Sequence, residues 1–487
     1  MNDHGHRGSR LRWDRPRRRL RGAWRPLLVG ALMLAQAACA TYSARPLDPA
    51  ASRAQLEARS LTDPALGERL KALLPADRSV PPAGGWGAAE LLVAAAQFNP
   101  RLAEARARLA AAVAGVTTAR AIPNPNLTGS FEYDLHKAAE ATWLWAASSM
   151  FIVDTPLRRR LRMELAQSAV QAARADYAET LWGVRRELRA ARLAAHLAER
   201  RLTVLAAAER DRSELAAHIA RRVAAGESAA SERLQNDVEL ARTRSAQAEA
   251  ARQRAAARAH LAAVIGVPQP ALEAVPLNFD DLTGPAPLEA ARVGELREHA
   301  LLSRADLERA ADDYQASEVE LQQAVRAQYP QLTVGPGYMF DHGIRKATLG
   351  VSFDLPVFNQ NQGPIAEARA RREAAGQHLL GVQSDILSEV DAARTDYALA
   401  LGALGTAEGQ RGAAEALARS VERAFTAGAE DRPALLAARL AAAAEALAEL
   451  DALERAAQAL GALEDALRTP LAGNETMLRL NTDLGEP

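Results

Sequence analysis

Apolar positions in this chain follow two periods that alternate in blocks, and the whole alternation occurs twice. Tyr177, Leu181, Val184, Leu188, Ala191, Ala195, Ala198, Leu202 and Leu205 are separated by steps of four and three. Ile386, Val390, Ala393, Tyr397, Ala400 and Leu404 repeat that spacing, which is the heptad stripe of long paired helices. Between the stripes the period falls to two. Leu349, Val351, Phe353 and Leu355 alternate with Thr348, Gly350, Ser352 and Asp354, as in a strand with one apolar face. A partner strand over 332–340 carries Val334, Tyr338 and Phe340 on its apolar face. In the first copy Leu127, Gly129, Phe131 and Tyr133 share one face, as do Trp143, Trp145, Phe151 and Val153. Polar loops over 134–140 and 341–346 join each pair as a hairpin.

Short identities fix the duplication. Pro125-Asn126-Leu127-Thr128 returns as Pro330-Gln331-Leu332-Thr333, and Glu187 to Arg192 returns as Glu389 to Arg394. Gly226 with Leu234 returns as Gly428 with Leu436. Each copy reads helix, two strands, very long helix, sharp turn, helix. Asn99-Pro100 opens a helix that runs to Arg120, with Asn as cap and Pro in the first helical position. The helix over 157–224 spans roughly 100 Å, and those over 229–264 and 100–120 span about 54 and about 32 Å. Two short helices stacked end to end thus match one long helix, and the second copy gives the same match. A Pro-rich linker over 266–287 runs between the copies along the outside.

Strands with one apolar and one polar face can sit in a membrane only as a closed barrel, because open edges leave backbone groups without partners in lipid. Four strands are too few, since the smallest such barrels have about eight. The chain is therefore expected to share a barrel with copies of itself, with Trp143, Trp145 and Tyr338 at the lipid boundary. The other reading of the hairpins, as caps on a soluble helical bundle, is left open by the pattern alone.

Composition and charge add a compartment. Aromatic residues are 4% of the chain and alanine abounds, which favours thin, closely packed helices. The formal charge is zero, but residues 1–38 hold nine arginines and two acids, so the remainder carries 51 basic against 58 acidic residues, a net of −7. That gives no reason to expect nucleic acid as a partner. The basic stretch precedes a short apolar run at 27–35, the layout of an export signal too short to span a bilayer. Cys39, the only cysteine, follows directly. It is either a lipid-attachment site or an incidental residue after an ordinary cleavage point. No later stretch is long and apolar enough for a membrane helix. The expected division is a signal peptide (1–38), a lipid-linked extended arm (39–85), repeat 1 (86–267), a linker (268–287), repeat 2 (288–470) and a tail (471–487).

With these elements in hand, the chain resembles the outer-membrane efflux family, the TolC-like channels, over roughly residues 86–470. The motifs are Asn99-Pro100-Arg101-Leu102, Pro123-Asn124-Pro125-Asn126-Leu127, Phe353-Asp354-Leu355-Pro356-Val357-Phe358-Asn359, and the turns ending at Gly226 and Gly428. The resemblance implies a mainly α fold with a β-barrel part. Long antiparallel coiled-coil helices form a periplasmic α-barrel, and three chains contribute four strands each to a twelve-stranded outer-membrane barrel. It implies as partners a periplasmic adaptor and a proton-driven inner-membrane pump. The flavour leans to the heavy-metal branch over the drug branch. The exit of a type I protein secretion system, and a pore-less coiled-coil lipoprotein, are the alternatives.

By the same resemblance Arg222, Val223, Gly226 and Leu234, with Phe425, Gly428 and Leu436, form the periplasmic tip that meets the adaptor. They could equally be plain helix-hairpin turns. Relatives often place acids six and nine residues after the second glycine, but here those positions are Ala434 and Ala437. Glu227, Glu232, Glu430 and Asp431 stand nearby, either lining the aperture or serving as solvated cap charges. The nine histidines are scattered and show no metal-ligand spacing. No phosphate loop or nucleophile elbow is present. Neither an enzyme nor a cofactor, apart from lipid on Cys39, is expected.

Overall fold

The computed structural model describes residues 42–74, 82, 84–133, 135, 143–282, 284–341, 343–473 and 475. The chain divides into two units, Met1–Gln55 and Leu56–Pro487. The described part of the first is largely exposed and leads into helix α1 (Pro49–Glu57), which buries no residue. The second begins with α2 (Pro64–Leu73). Stretch 39–85 thus holds two helices where an extended arm is expected. Its prolines do not act as breakers. Pro49 and Pro64 take the first helical position, where a missing N–H costs nothing. Asp63 caps α2 by accepting the Ala65 N–H at 2.8 Å.

Helices α3 (Ala88–Phe98) and α4 (Pro100–Arg120) follow. Trp86 lies just before α3 and bridges to Leu277 as an isolated parallel pair. Asn99 does two jobs. Its Oδ1 accepts the Arg101 N–H at 2.9 Å, capping α4, and its Nδ2 donates to the Val264 carbonyl at 2.7 Å. That carbonyl belongs to α6 (Ala230–Ile265), which ends at Gly266 with φ of 89°. A Cβ on Gly266 would fall 2.5 Å from the Phe98 carbonyl oxygen, so both the left-handed backbone and the close approach need glycine here. Arg59 donates to the carbonyls of Phe98 and Gly266 at 2.8 Å each and closes the corner.

The strands are β1 (Asn126–Tyr133), β2 (Trp143–Ile152), β3 (Thr333–Asp341) and β4 (Ile344–Ser352), paired antiparallel in the order β1-β2-β3-β4. The second hairpin is tighter than expected. Asp341 pairs directly with Ile344, with Gly343 at φ of 93° in the turn, so β4 starts three residues earlier than the expected loop end allows. Phe353 and Leu355 lie beyond its end.

The long helices are α5 (Pro156–Ala224) and α10 (Gln362–Thr426), roughly 104 and 98 Å at the standard rise. Each turns at its end into a 36-residue helix, α6 in the first copy and α11 (Arg432–Leu467) in the second. The linker is folded rather than loose, with α7 (Gln269–Glu273), a 3-10 turn at Asp280–Leu282, and Val267, Leu272 and Leu282 buried. Helix α8 (Ala290–Ser303), not anticipated, buries Val293, Leu296 and Ala300 and precedes α9 (Ala305–Arg326). The pair α8–α9 therefore repeats α3–α4, and the duplication is closer than the sequence showed.

Among the described residues α5 packs against α4, α6, α9 and α11, while α10 packs against α9 and α11. No comparable packing joins α10 to α4 or α6. The helical columns thus run in the order α4/α6, α5, α9/α11, α10. Both layers are open at matching ends, β1 with α4/α6 and β4 with α10. The heptad residues Tyr177 through Ala198 are buried, as are Ile386, Val390, Ala393, Tyr397 and Leu404. Leu202, Leu205 and Ala400 are only partly covered.

Candidate functional site

Cross-strand register sorts the sheet into two faces, because directly opposed residues point the same way. Tyr133 opposes Trp143, Phe131 opposes Trp145, Trp145 opposes Phe340, Val334 opposes both Phe151 and Val351. The apolar positions read from the sequence therefore gather on one face. Aromatic rings meet on it, Tyr133 with Trp143 at 4.9 Å and Trp145 with Tyr338 at 5.3 Å between centroids. Leu127, Phe131, Leu349 and Val351 stand exposed there. The other face is different in kind. Thr128, Ser148, Gly337 and Thr348 form one row across all four strands. A Cβ on Gly337 would fall 2.5 Å from the Thr348 Oγ1, so the row is as closely set as small residues allow.

Midway along the helices lies a buried charge network that the sequence did not reveal. Arg185 donates to Glu464 and Glu475, both at 2.7 Å, and all three side chains are buried. Glu464 also accepts the backbone N–H groups of Leu471 and Ala472, at 2.7 and 3.2 Å. Burial works against the Arg185 charge, but the carboxylates of Glu475 and Glu464 more than offset it, so its pKa is raised. Two turns on, buried Arg192 clasps Asp281 at 2.8 and 2.7 Å and donates to the Asn278 carbonyl at 2.9 Å. Linker and C-terminal segment are thereby stapled to α5.

At the far end both long helices stop in the same backbone device. The N–H of Glu227 reaches the Arg222 carbonyl at 2.8 Å and that of Gly226 reaches Val223 at 3.1 Å. Ala429 to Ala424 at 2.8 Å and Gly428 to Phe425 at 3.0 Å repeat it. These are paired Schellman motifs, with Gly226 at φ of 78° and Gly428 at φ of 77°. Val223 and Leu436 meet in one apolar cluster with Leu215, Ile219 and Leu440, joining α5 to α11. Phe425 lies beneath the Arg432 guanidinium, 5.5 Å from ring centroid. Arg432 also clasps Glu214 at 2.7 and 2.8 Å, which holds the Glu214 carboxyl below its ordinary pKa.

The expected acids are not gathered. Glu227 pairs loosely with Arg222 at 3.8 Å, Asp431 caps α11 by accepting the Ala434 N–H at 2.9 Å, Glu430 is exposed and Glu232 is half-buried. Leu234 is exposed, unlike its counterpart Leu436. Ile219 and Val223 could have been found by extending the four-three steps past Leu205, whereas Leu215 lies one residue off that stripe. The Glu214–Arg432 pair, 218 residues apart, has no local signature. Cys39 lies outside the described residues. Among the described residues, no helix is long and apolar enough to cross a membrane, and no three His, Cys, Asp or Glu side chains are grouped to hold a metal ion.

Comparison with known proteins accounts for this architecture. Over 305 residues the chain is 30% identical to the cobalt-zinc-cadmium resistance protein CzcC of Cupriavidus metallidurans, covering 60% of this chain and 68% of the relative. Its fold is similar to VceC of Vibrio cholerae, at a TM-score of 0.63 and 20% identity over 78% of this chain and 95% of that one. It is equally similar to the open-state channel MtrE of Neisseria gonorrhoeae, at 0.63 and 19% over 78% and 88%. The sequence profile described as outer membrane efflux protein matches 91–267 and 296–467, the two copies found above. The chain belongs to the outer membrane efflux protein family, channel components that are neither enzymes nor cofactor-dependent.

Proposed function

We propose that this chain is the outer-membrane channel of a tripartite efflux system, assembled as a homotrimer, that passes divalent heavy-metal cations outward from a periplasmic adaptor and a proton-driven inner-membrane pump. The observation that carries the assembly is the match between its seams. Through the 202-residue offset of Gly226 and Gly428, Leu197 and Leu215 of α5 correspond to Leu399 and Leu417 of α10, and Leu436 and Leu440 of α11 to Leu234 and Val238 of α6. Leu197, Leu215 and Leu436 are 0, 8 and 0% exposed, whereas Leu399, Leu417 and Leu234 are 70, 58 and 65% exposed. Inside the chain this seam is closed by α5 on α11. The equivalent seam of α10 on α6 needs a second copy. Two copies would give eight strands, a barrel whose interior side chains fill it. Three copies give twelve, the smallest multiple of four with an open bore.

Cargo follows from similarity to CzcC, whose name specifies cobalt, zinc and cadmium resistance. In this reading the turns at Gly226 and Gly428, with Arg222, Val223, Phe425, Leu234 and Leu436, face the adaptor. Deleting the gene should lower tolerance to zinc, cadmium and cobalt salts, with tolerance to dyes and detergents unchanged. A loss confined to organic compounds would overturn the cargo assignment and leave the channel standing. Cys39 carries the lipid anchor. Cys39→Ala should abolish incorporation of radioactive palmitate while the protein is still exported, and label that survives would exclude Cys39.

A further inference from the structure

Where the strands end and the helices begin, a cavity of about 750 Å³ opens between the start of α5, the end of α9 and the segment 354–361. That volume lies in the ~300–1,000 Å³ range of small-molecule sites. Its lining has two characters. Arg158, Arg162 and Arg326 supply guanidinium groups, and Leu355, Pro356 and Phe358 supply an apolar rim. The arginines are not equally committed. Asp154 holds Arg162 through two bonds of 3.0 and 2.9 Å, and also Arg159 at 3.0 Å. Arg158 donates only to a neutral group, the Tyr329 carbonyl at 2.9 Å, and Arg326 lies over the Tyr329 ring at 5.9 Å. Among the described residues no carboxylate pairs with either. Asp354 is the one acid in the lining, so the cavity carries excess positive charge.

The rim continues the apolar face of the sheet. Leu349 and Val351 lie on that face of β4, the chain leaves the strand through Phe353 and Leu355, and Leu355, Val357 and Phe358 are exposed, Phe358 fully. A ligand that puts phosphate oxygens on the arginines and hydrocarbon along Leu355 and Phe353 satisfies both halves at once. Guanidinium groups bind phosphate through charge-assisted bonds, and basic pockets at a membrane surface take lipid head groups.

We infer that this cavity binds the phosphate head group of a glycerophospholipid from the membrane leaflet that meets the helix-side ends of the strands, with Arg158 and Arg326 as the phosphate contacts. The inference rests on the membrane-channel reading above. Such a lipid ties the helical part to the bilayer at a fixed height.

The test is native mass spectrometry of the intact assembly released from detergent, with dihexanoyl phosphatidylglycerol added as probe. Wild type should retain phospholipid, and Arg158→Gln/Arg326→Gln should weaken probe binding about tenfold or more, the scale of one or two lost charge-assisted bonds. Arg160→Gln should leave binding unchanged, since Arg160 is exposed, pairs with Glu164 at 3.1 Å and does not line the cavity. Equal retention by the double variant would overturn the assignment. So would displacement of the lipid by inorganic phosphate with phosphate then held at the same stoichiometry, which would make this a free-anion site. A wild-type protein that is monomeric and absent from membranes would sink the channel reading itself, whereas a membrane-bound oligomer without retained lipid would sink only the lipid site.

Discussion

Leu399→Asp/Leu417→Asp should convert the assembly to single chains. Both leucines lie on α10 and are mostly exposed in the isolated chain, while their counterparts Leu197 and Leu215 are buried on α5. If the second copy covers them as α11 covers α5, each substitution removes a buried leucine, about 2–5 kcal/mol for truncation alone, and strands a carboxylate without a partner. In a ring of three the double variant repeats this at every seam. Light scattering in detergent would read the mass, expected to fall from three chains to one. Leu302→Asp is the control, since Leu302 is exposed on α8 and outside the seam. A double variant that keeps the wild-type mass and bilayer conductance would disprove the seam.

The second large effect is expected at Arg185→Ala. Removing the guanidinium leaves Glu475 buried without its cation and Glu464 with only the more distant Arg189 at 3.5 Å, and breaking such a pair costs about 3–5 kcal/mol. The loss is larger than for a surface ion pair, since all three side chains are almost completely enclosed. Melting followed by circular dichroism should show a clear drop for Arg185→Ala. Arg185→Met with Glu475→Gln should recover much of it, because Glu464 then keeps Arg189 as its cation and Glu475 is no longer charged. A single variant that melts with the wild type would mean that the network adds nothing to stability.

The parts of the fold that could be read in advance share a physical property, which is that their cause is local. Pro100 starts a helix where a missing N–H is harmless, and Gly226 and Gly428 end helices where the backbone must turn left-handed. Strand faces followed from alternation alone, and the register places every expected apolar residue within the strands on one side. What escaped has distant causes. Arg185 meets residues 279 and 290 positions away, and nothing around it announces burial. The two helices within 39–85 escaped because they are short, and α2 depends on burying Leu66 and Leu70. Leu234 and Leu436 are equivalent in sequence, yet one is exposed and the other enclosed, since only the second has its neighbouring column in the same chain. An acid near a helix start serves as a cap as readily as it lines an aperture, and Asp431 does cap α11.

The row Thr128–Ser148–Gly337–Thr348 has a consequence for traffic. At that height the inner wall of the proposed conduit would show a passing ion hydroxyls and bare peptide, with no carboxylate, imidazole or thiolate to grip it. Metal ions prefer such grips, each by its own hardness and geometry. A corridor without them detains nothing at that level, so the sorting of one cation from another has to be finished upstream, before the cargo arrives at this gallery.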